Sequence, residues 1–493
     1  MLPWWLLAIA VFGTNFALWG TIGLLRAVHT ALCRPVERRK DVPAVRTVEV
    51  GRKPNRVRVE RPTQLTVADV AVLIPAHNEE SVIVESIKAI TALVPLRNVH
   101  VVSDGSTDRT IELARKCGVH VISTSANVGK AGALQEAFRR FRIVERFKAV
   151  MLLDADTQVD PQYFQAALPF FSDPEVVALA GCVQNRWEHQ GLGWFGKLVA
   201  LHRARIYLTT QFLLKYGQTW RHCNATHIVP GFASIYRTDV LPLIDVNPPG
   251  LVIEDFNMTF EVYQKRLGKV AFTPRAVART QDPGTFKDYV RQCRRWALGL
   301  WQTVRRHPPR LNLFSAMLGL LILELLSSSI MLLLLPLVVL VLFLPELFGE
   351  VLAIAPVAGA YGFVSAYVNT ESLLYGVVLP DLGMTCVVAL VLRQPRYLIF
   401  GWFFLLMRVL DAAIGLAALP AAYLSHSTGR WRSPSRRATG PAAAGAVEPT
   451  GTAGPFSPEQ GAGREPVGRT NGLPIADGAH MSTGSPQEQG RPG

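Results

Sequence analysis

Residues 149–157 read AVMLLDADT, a run of five apolar residues followed by two aspartates one residue apart. The apolar run predicts a buried strand, which places Asp154 and Asp156 at its carboxyl end. Two carboxylates in that position are poorly solvated and repel each other, and a hard divalent cation that binds both relieves this cost. The pair therefore predicts a divalent metal site that also holds a diphosphate, although acidic turns that bind no metal are common.

The chain before this stretch repeats the same pattern of strand and turn. Three more β-rich runs alternate with segments of helical pattern; the runs are residues 70–74, 99–102 and 119–122, and the helical segments are 79–93, 107–117 and 130–141. This alternation predicts an α/β domain with a parallel sheet built from βαβ units. Ligands of such sheets bind at the carboxyl ends of the strands, so the turns that follow the strands are the candidate site.

The turn after the first strand, residues 75–80, reads PAHNEE. It offers a ligand above the sheet both backbone amides and side-chain acceptors, and its candidates are Pro75, His77, Asn78 and Glu79. The alternative interpretation is the N-terminus of a helix, with Asn78 as its cap and the two acids stabilised by the helix dipole.

Two later turns carry a carboxylate and a cation. Residues 103–108 read SDGSTD, and Asp104 could accept a hydrogen bond from uracil or ribose, unless the segment is a turn followed by a Ser/Thr cap. Residues 127–134 read NVGKAGAL and place Lys130 at the start of a helix, where a cation is unfavourable without a nearby anion. A nucleotide would supply that anion, and chance placement is the alternative.

The last two motifs lie closer to the C-terminal apolar region. Glu254 and Asp255 follow a turn of small residues, and a carboxylate there could take the proton of an attacking hydroxyl; the alternative is an acidic pair at a helix start. Residues 292–296 read QCRRW. Arg295 brings a planar donor fork for phosphate oxygens, and Trp296 a flat apolar face for a pyranose ring, with the Gln292 carboxamide beside them.

Composition and charge indicate a membrane protein. Its 493 residues are 49% apolar with a net charge of +14, and the basic residues cluster beside apolar segments, as the positive-inside rule describes. No nucleic-acid partner is expected. The predicted parts are a transmembrane helix at 1–25, a basic cytosolic linker at 26–67, the α/β domain at 68–310, a C-terminal transmembrane region of about four helices at 311–425, and a disordered cytosolic tail at 426–493.

Three ionisable residues fall inside the predicted spans. Glu324 lies in the middle of the first C-terminal span, and Arg408 and Asp411 lie one turn apart in the last. Such groups are costly in lipid and tend to face a bundle interior or a pathway. They could line such a pathway, or Arg408 and Asp411 could form a structural pair.

Taken in order, these motifs resemble family 2 glycosyltransferases, and within them the membrane-embedded processive synthases of cellulose, chitin, hyaluronan and poly-N-acetylglucosamine. The resemblance covers about residues 68–300 and the membrane layout. It implies a GT-A fold and inverting transfer from a UDP-sugar to a growing β-linked polysaccharide, possibly coupled to export. It also implies a multi-pass plasma-membrane protein whose catalytic domain is cytosolic.

The resemblance further implies a role for each motif residue. Asp255 would be the catalytic base, and Asp156 together with Asp154 would hold Mg²⁺ or Mn²⁺. The implied substrate-binding residues are Pro75, His77, Asn78, Glu79, Asp104, Lys130, Asp154, Glu254, Gln292, Arg295 and Trp296. Acceptor contacts are expected from Asn185, Trp187 and residues 231–234. Ile253 departs from the family pattern, which usually has threonine there.

Two other functions are compatible with parts of this pattern. A non-processive transferase that glycosylates a polyprenyl phosphate or another lipid would share most of the motifs, but such enzymes generally lack the Q-x-x-R-W pentad at residues 292–296. A nucleotide-binding membrane scaffold or transporter subunit is the other alternative, but it would give the acidic residues of these motifs no chemical role. The motifs assign neither the sugar nor an oligomeric state.

Overall fold

A computed structural model of the chain describes residues 3–37, 43–52, 54, 56–186 and 192–424. The predicted disordered tail at 426–493 and Trp187 lie outside these residues. The strands are β1 Val45–Val50, β2 Val57–Pro62, β3 Val70–Ala76, β4 Val99–Ser103, β5 His120–Ser123, β6 Ala149–Leu153, β7 Gln158–Val159, β8 Val176–Asn185, β9 Ala233–Arg237 and β10 Lys269–Thr280.

The helices fall into a set around the sheet and a set near the two ends of the described chain. They are α1 Trp4–Phe12, α2 Asn15–Glu37, α3 Ile83–Thr91, α4 Thr110–Lys116, α5 Lys130–Arg140, α6 Ile143–Arg146, α7 Tyr163–Ala167, α8 Trp194–Thr209, α9 Tyr216–Gln218, α10 Glu254–Gln264, α11 Phe286–Arg306, α12 Leu313–Leu347, α13 Ala355–Tyr367, α14 Thr370–Leu373, α15 Leu379–Leu392, α16 Arg396–Phe400 and α17 Phe404–Leu424. A π-helical segment, Thr210–Lys215, continues α8 into α9.

The core of the domain is an eight-stranded sheet in the order β5-β4-β3-β6-β9-β8-β10-β7. The four strands predicted from the sequence form one parallel half, β5-β4-β3-β6. Every residue of β3, β4 and β6 is buried, as expected for a parallel sheet covered by helices on both faces. The predicted α/β class is confirmed.

The other half of the sheet was not predicted. β9 runs antiparallel to β6 on one side and to β8 on the other, so a strand of reversed direction lies beside β6, whose last residue, Leu153, precedes Asp154. The reversal brings the turn before β9 close to the end of β6, where the Asp154 amide donates to the Phe232 carbonyl at 3.0 Å.

The predicted linker at 26–67 contains regular structure. α2 extends to Glu37, and β1 and β2 form a two-stranded antiparallel sheet. The buried Arg61 fastens this hairpin to the domain, since its guanidinium donates to Asp239 Oδ2 at 2.8 Å and to the Pro174 carbonyl at 2.9 Å. The segment is therefore part of the folded domain and not only a spacer.

Four segments of the described chain are long and apolar enough to cross a membrane by length and composition. They are Asn15–Cys33, Leu313–Leu347, Thr370–Leu392 and Arg396–Leu424. Three of these follow the sheet domain, where about four were predicted. The predicted span that is missing is the one at residues 351–368. The helix there, α13, has 13 residues, fewer than the roughly 20 that a span requires.

The N-terminal apolar segment is broken and not one continuous helix as predicted. Gly13 has a φ of 78° and separates α1 from α2. Glu324 of α12 accepts hydrogen bonds from the backbone amides of Thr14 and Asn15 at 2.6 and 3.2 Å, so its carboxylate satisfies the free amides at the start of α2. This contact accounts for an acid in the middle of an apolar helix.

Arg408 and Asp411 do not pair with each other. Arg408 donates to Asp381 Oδ1 of α15 at 3.1 Å, and Arg205 of α8 binds both oxygens of the same carboxylate at 2.9 and 2.6 Å. Asp411 instead accepts from the Tyr289 hydroxyl of α11 at 2.6 Å and contacts His202 of α8 at 3.0 Å. Both aspartates thus connect the apolar C-terminal helices to helices of the sheet domain.

Replacing Asp381 tests the first of these connections. Asp381→Ala leaves the buried guanidinium of Arg205 and the half-buried one of Arg408 without their carboxylate, and removing one partner of a buried ion pair costs about 3–5 kcal/mol. We expect a clearly lower midpoint of thermal unfolding in detergent. Glu371→Ala, an exposed acid ten residues earlier, is the control and should unfold like the wild type. Equal midpoints for the two variants would contradict a stabilising role for the Asp381 network.

Candidate active site

A cavity of about 330 Å³ opens at the carboxyl ends of the parallel strands, between them, α8 and α11. The predicted site residues that line it are Glu79, Lys130, Asp154, Asp156, Glu254, Asp255, Gln292, Arg295 and Trp296. They come from segments up to 217 positions apart along the chain, from Glu79 to Trp296. The structure therefore gathers residues that the sequence could only place at the ends of separate elements.

Lys130 lies at the centre of the acidic residues. As the first residue of α5, its ammonium is 2.9 Å from Asp154 Oδ1 and 3.0 Å from Glu254 Oε1. Burial alone would lower the pKa of Lys130, but Asp154, Glu254 and Asp255 raise it well above its usual value. The lysine is therefore a permanent cation, and its anionic partners here are carboxylates of the protein.

Asp255 is held beside this cluster by a glycine. Its Oδ2 accepts from the Gly231 amide at 2.8 Å, in the turn that precedes β9. Burial and the neighbouring Glu254 charge raise the pKa of Asp255 to about 7. Glu254 behaves differently, because the nearby Lys130 lowers its pKa in spite of burial. Of the two acids, Asp255 is thus the one suited to exchange a proton near neutral pH.

Asp154 and Asp156 fit a divalent cation that takes further ligands from a substrate. Burial raises the pKa of Asp154, and the Asp156 charge adds to the effect, which is the electrostatic cost that a cation relieves. Asp156 is 3% exposed and its oxygens contact the Thr157 and Thr280 hydroxyls at 3.2 and 3.3 Å. Among the described residues no group of three or more His, Cys, Asp and Glu could hold a metal ion alone. Mg²⁺ sites in phosphate-binding proteins commonly have only one or two carboxylates.

The turn at 75–80 is not a helix start, because α3 begins only at Ile83. Asn78 has a φ of 56°, and its side-chain oxygen accepts from the Thr107 amide at 2.8 Å. His77 Nδ1 lies 2.6 Å from the Asp104 carbonyl oxygen. These bonds fix the turn to the neighbouring one after β4. Pro75 lies inside β3, opposite Val102. The residues that line the cavity do not include Pro75, His77 or Asn78.

Asp104 supports the loop that leads to Lys130. Its two oxygens accept from the backbone amides of Val128 and Gly129 at 2.8 and 2.9 Å. The carboxylate is fully buried and does not line the cavity. Asp104 therefore orders the start of α5, and its bond to uracil or ribose stays a prediction.

The Q-x-x-R-W residues lie on α11 and meet a residue that the sequence analysis missed. Arg203 of α8 donates to Gln292 Oε1 at 2.5 Å, and its guanidinium carbon is 4.5 Å from the centre of the Trp296 ring. Asp282 pairs with Arg203 at 3.0 Å. The ring of Trp296 thus carries a cation on one face, and the side chain remains 36% exposed.

Tyr207 and Lys215 also line the cavity and were missed. Both belong to the continuous helical segment from α8 to α9. The sequence did carry a signal that this helix is functional. Arg203 and Arg205 lie within the mostly apolar run at 194–209, and cations are rarely buried without a partner. Asn185 donates to the Ala200 carbonyl at 2.8 Å and is not among the residues that line the cavity, and its contact with an acceptor stays a prediction.

Comparison with known proteins identifies the domain. A family model described as "Glycosyltransferase like family 2" matches residues 68–299. These residues form a family 2 glycosyltransferase domain. The GT-A fold implied by the motifs is confirmed.

Curated relatives share this glycosyltransferase domain. A probable glucomannan 4-β-mannosyltransferase of Arabidopsis thaliana is 30% identical over 246 residues, which are 47% of this chain and 42% of the relative. Poly-β-1,6-N-acetyl-D-glucosamine synthase of Staphylococcus aureus is 24% identical over 235 residues, 46% of this chain and 53% of the relative. The chain thus spans about half the length of the curated relatives it matches.

A solved structure is similar over more of the chain. The mannosyltransferase PcManGT of Pyrobaculum calidifontis, in complex with GDP-Man and Mn²⁺, aligns with a TM-score of 0.45 and 18% identity, covering 84% of this chain and 99% of its own.

Gly231 provides a test of the site geometry. A Cβ at this position would lie 2.5 Å from Asp255 Oδ1 and 3.0 Å from Lys130 Nζ, so Gly231→Ala must displace the carboxylate. Small displacements of catalytic groups can cost about 100-fold in rate, and we expect a loss of that order in kcat for glycosyl transfer. Gly193→Ala is the control, because its Cβ meets nothing within 4 Å. A Gly231→Ala enzyme with wild-type kcat would show that the position of Asp255 is not critical.

Proposed function

We propose that the chain is a membrane-bound inverting glycosyltransferase that transfers a sugar from a UDP-sugar to a growing β-linked polysaccharide. The observation that carries the proposal is the position of Asp255, which shares one cavity with the Asp154–Asp156 pair and with Arg295 and Trp296. A proton acceptor, a diphosphate site and a sugar-stacking surface thus face the same space.

The donor would bind over the acidic edge of the sheet. Asp154 and Asp156 would hold Mg²⁺ or Mn²⁺, which when bound supplies positive charge for the departing diphosphate. Arg295 projects into the same cavity, and within the described residues its side chain makes no ion pair or hydrogen bond. Its guanidinium is therefore available for diphosphate oxygens. The sugar would then project toward Asp255.

The acceptor would enter between α8 and α11. Stacking on Trp296 would direct one of its hydroxyl groups to Asp255, which removes the hydroxyl proton as the oxygen attacks the anomeric carbon. Attack from the face opposite UDP inverts the configuration, so that an α-linked donor gives a β-linked product. The raised pKa of Asp255 matches the need to hold this proton near neutral pH.

Two features favour a polymer over a lipid as acceptor. The Q-x-x-R-W pentad is present on a cavity wall, and a curated relative is a poly-β-1,6-N-acetyl-D-glucosamine synthase. The helix that carries the pentad, α11, is followed after six residues by the apolar helix α12, so a product that leaves past Trp296 would meet the membrane region. We place the domain on the cytosolic side of the plasma membrane, because UDP-sugars are made in the cytosol.

The assignment of the base is tested by Asp255→Asn. The amide keeps the shape of the side chain but cannot take a proton, and loss of a general base costs about 10²–10⁴-fold in rate. We expect transfer to fall by at least that amount while UDP binding, measured by titration calorimetry, is largely retained. Glu145→Gln removes an exposed carboxylate on α6 and should leave both unchanged. Full transfer activity in Asp255→Asn would reject the assignment.

The product distinguishes the polymer from its rivals. Membranes that contain the full chain are incubated with radiolabelled UDP-glucose, UDP-N-acetylglucosamine, UDP-glucuronate and, for comparison, GDP-mannose. We expect a long, alkali-stable product from one UDP-sugar, and none from Asp255→Asn membranes. A chloroform-soluble product would indicate a lipid acceptor, whereas no product from any donor would favour a nucleotide-binding scaffold.

A further inference from the structure

The cavity contains a cation that the proposed mechanism does not use. The basic residues that line the cavity are Lys130, Arg203, Lys215, Arg291 and Arg295. Lys130, Arg203 and Arg291 are paired with carboxylates at 2.8–3.0 Å. Across the described ranges, the side chains of Lys215 and Arg295 make no ion pair or hydrogen bond. Since the diphosphate accounts for Arg295, Lys215 is the remaining lining cation of the described residues that makes no ion pair.

The wall around Lys215 offers little else that is polar. Lys215 ends the π-helical segment Thr210–Lys215, and such segments often occur at functional sites. The side-chain amide of Gln211 is hydrogen-bonded to the backbone of Val183 and Tyr207. The Thr210 hydroxyl donates to the Ile206 carbonyl at 2.7 Å. With these two groups satisfied, the Lys215 ammonium is a charged hydrogen-bond donor on this wall that a ligand can reach.

Lys215 lines the same cavity as Asp255, and the Asp255 carboxylate acts on its charge. Its ammonium is 5.9 Å from the centre of the Phe272 ring. Burial lowers the pKa of Lys215 to about 8, an effect that Cys182 and the carboxylate of Asp255 oppose. The lysine is therefore mainly charged at neutral pH. By contrast, the carboxylates that act on Lys130 include Asp154.

We propose that Lys215 binds a negatively charged group of the acceptor, a carboxylate or a phosphate close to the hydroxyl that attacks the donor. The inference rests on the proposed function, because it takes Asp255 as the group that receives the hydroxyl proton. A charge in this enclosed site is costly to leave unpaired, and an acceptor oxyanion would pair with it without disturbing the Lys130 cluster. The acceptor would accordingly be an acidic glycan.

The test compares acceptors that differ only in charge. The full-length enzyme in detergent is given its UDP-sugar donor and short oligosaccharides that end in glucose, in glucuronate or in glucose 6-phosphate. A hydrogen bond between charged groups favours binding by about 10- to 100-fold, so the wild type should show at least a tenfold higher kcat/KM with one of the two acidic acceptors. The better of the two identifies the anion as a carboxylate or a phosphate.

Variants of Lys215 test whether this residue causes the preference for an acidic acceptor. Lys215→Met should remove the preference for the acidic acceptor, mainly through KM, whereas Lys215→Arg should retain most of it. Lys88→Met, an exposed lysine on α3, is the matched control and should keep the full preference. Thermal unfolding of each variant shows whether it is folded, and the wild-type comparison does not depend on any variant.

The outcomes separate this inference from the proposal on which it rests. A wild-type enzyme that uses neutral and acidic acceptors equally, or a Lys215→Met enzyme that keeps the preference, would overturn the role of Lys215 and leave the glycosyltransferase function intact. Absence of transfer to any acceptor from any donor would overturn both.

Discussion

The site depends on one buried ammonium shared by two carboxylates. Lys130 joins the start of α5, the end of β6 and the start of α10 through its contacts with Asp154 and Glu254 at 2.9 and 3.0 Å. Without this cation, Asp154, Asp156, Glu254 and Asp255 would concentrate negative charge in one enclosed space, which is unfavourable in a medium of low polarity. The lysine thus offsets the charge of these carboxylates, and the hydrogen bonds from the Val128 and Gly129 amides to the Asp104 carboxylate hold the loop that presents it.

The second half of the site is organised around α8. Arg203 connects Gln292 and Trp296 to this helix, and two residues further along Arg205 binds Asp381 of the apolar region. The helix that forms a wall of the cavity is therefore anchored to the candidate membrane spans. Ile253 adds a link to α11, since a Cβ on Gly299 would lie 2.9 Å from the Ile253 side chain. That close packing leaves no room for a side chain at position 299.

The sequence predicted the features that depend on local pattern. β3, β4, β5 and β6 are short apolar runs, and the turn chemistry after them indicated Lys130, Asp154 and Asp156. Features set by distant contacts were not predictable in the same way. β9 reads ASIYR, which is not an apolar run, and only the sheet shows that it is a strand antiparallel to β6. Arg203 and Lys215 have no motif around them, and Arg408 lies one turn from Asp411 but pairs with Asp381 instead. The roles of the site residues remain predictions.

A structure of the full chain with a non-hydrolysable UDP-sugar and Mn²⁺, determined by cryo-electron microscopy, tests the central claim most directly. The account predicts an ion between the diphosphate and the Asp154–Asp156 pair, Arg295 on the diphosphate, and the Asp255 carboxylate facing the anomeric carbon from the side opposite UDP. A nucleotide bound outside this cavity, or an anomeric carbon turned away from Asp255, would contradict it.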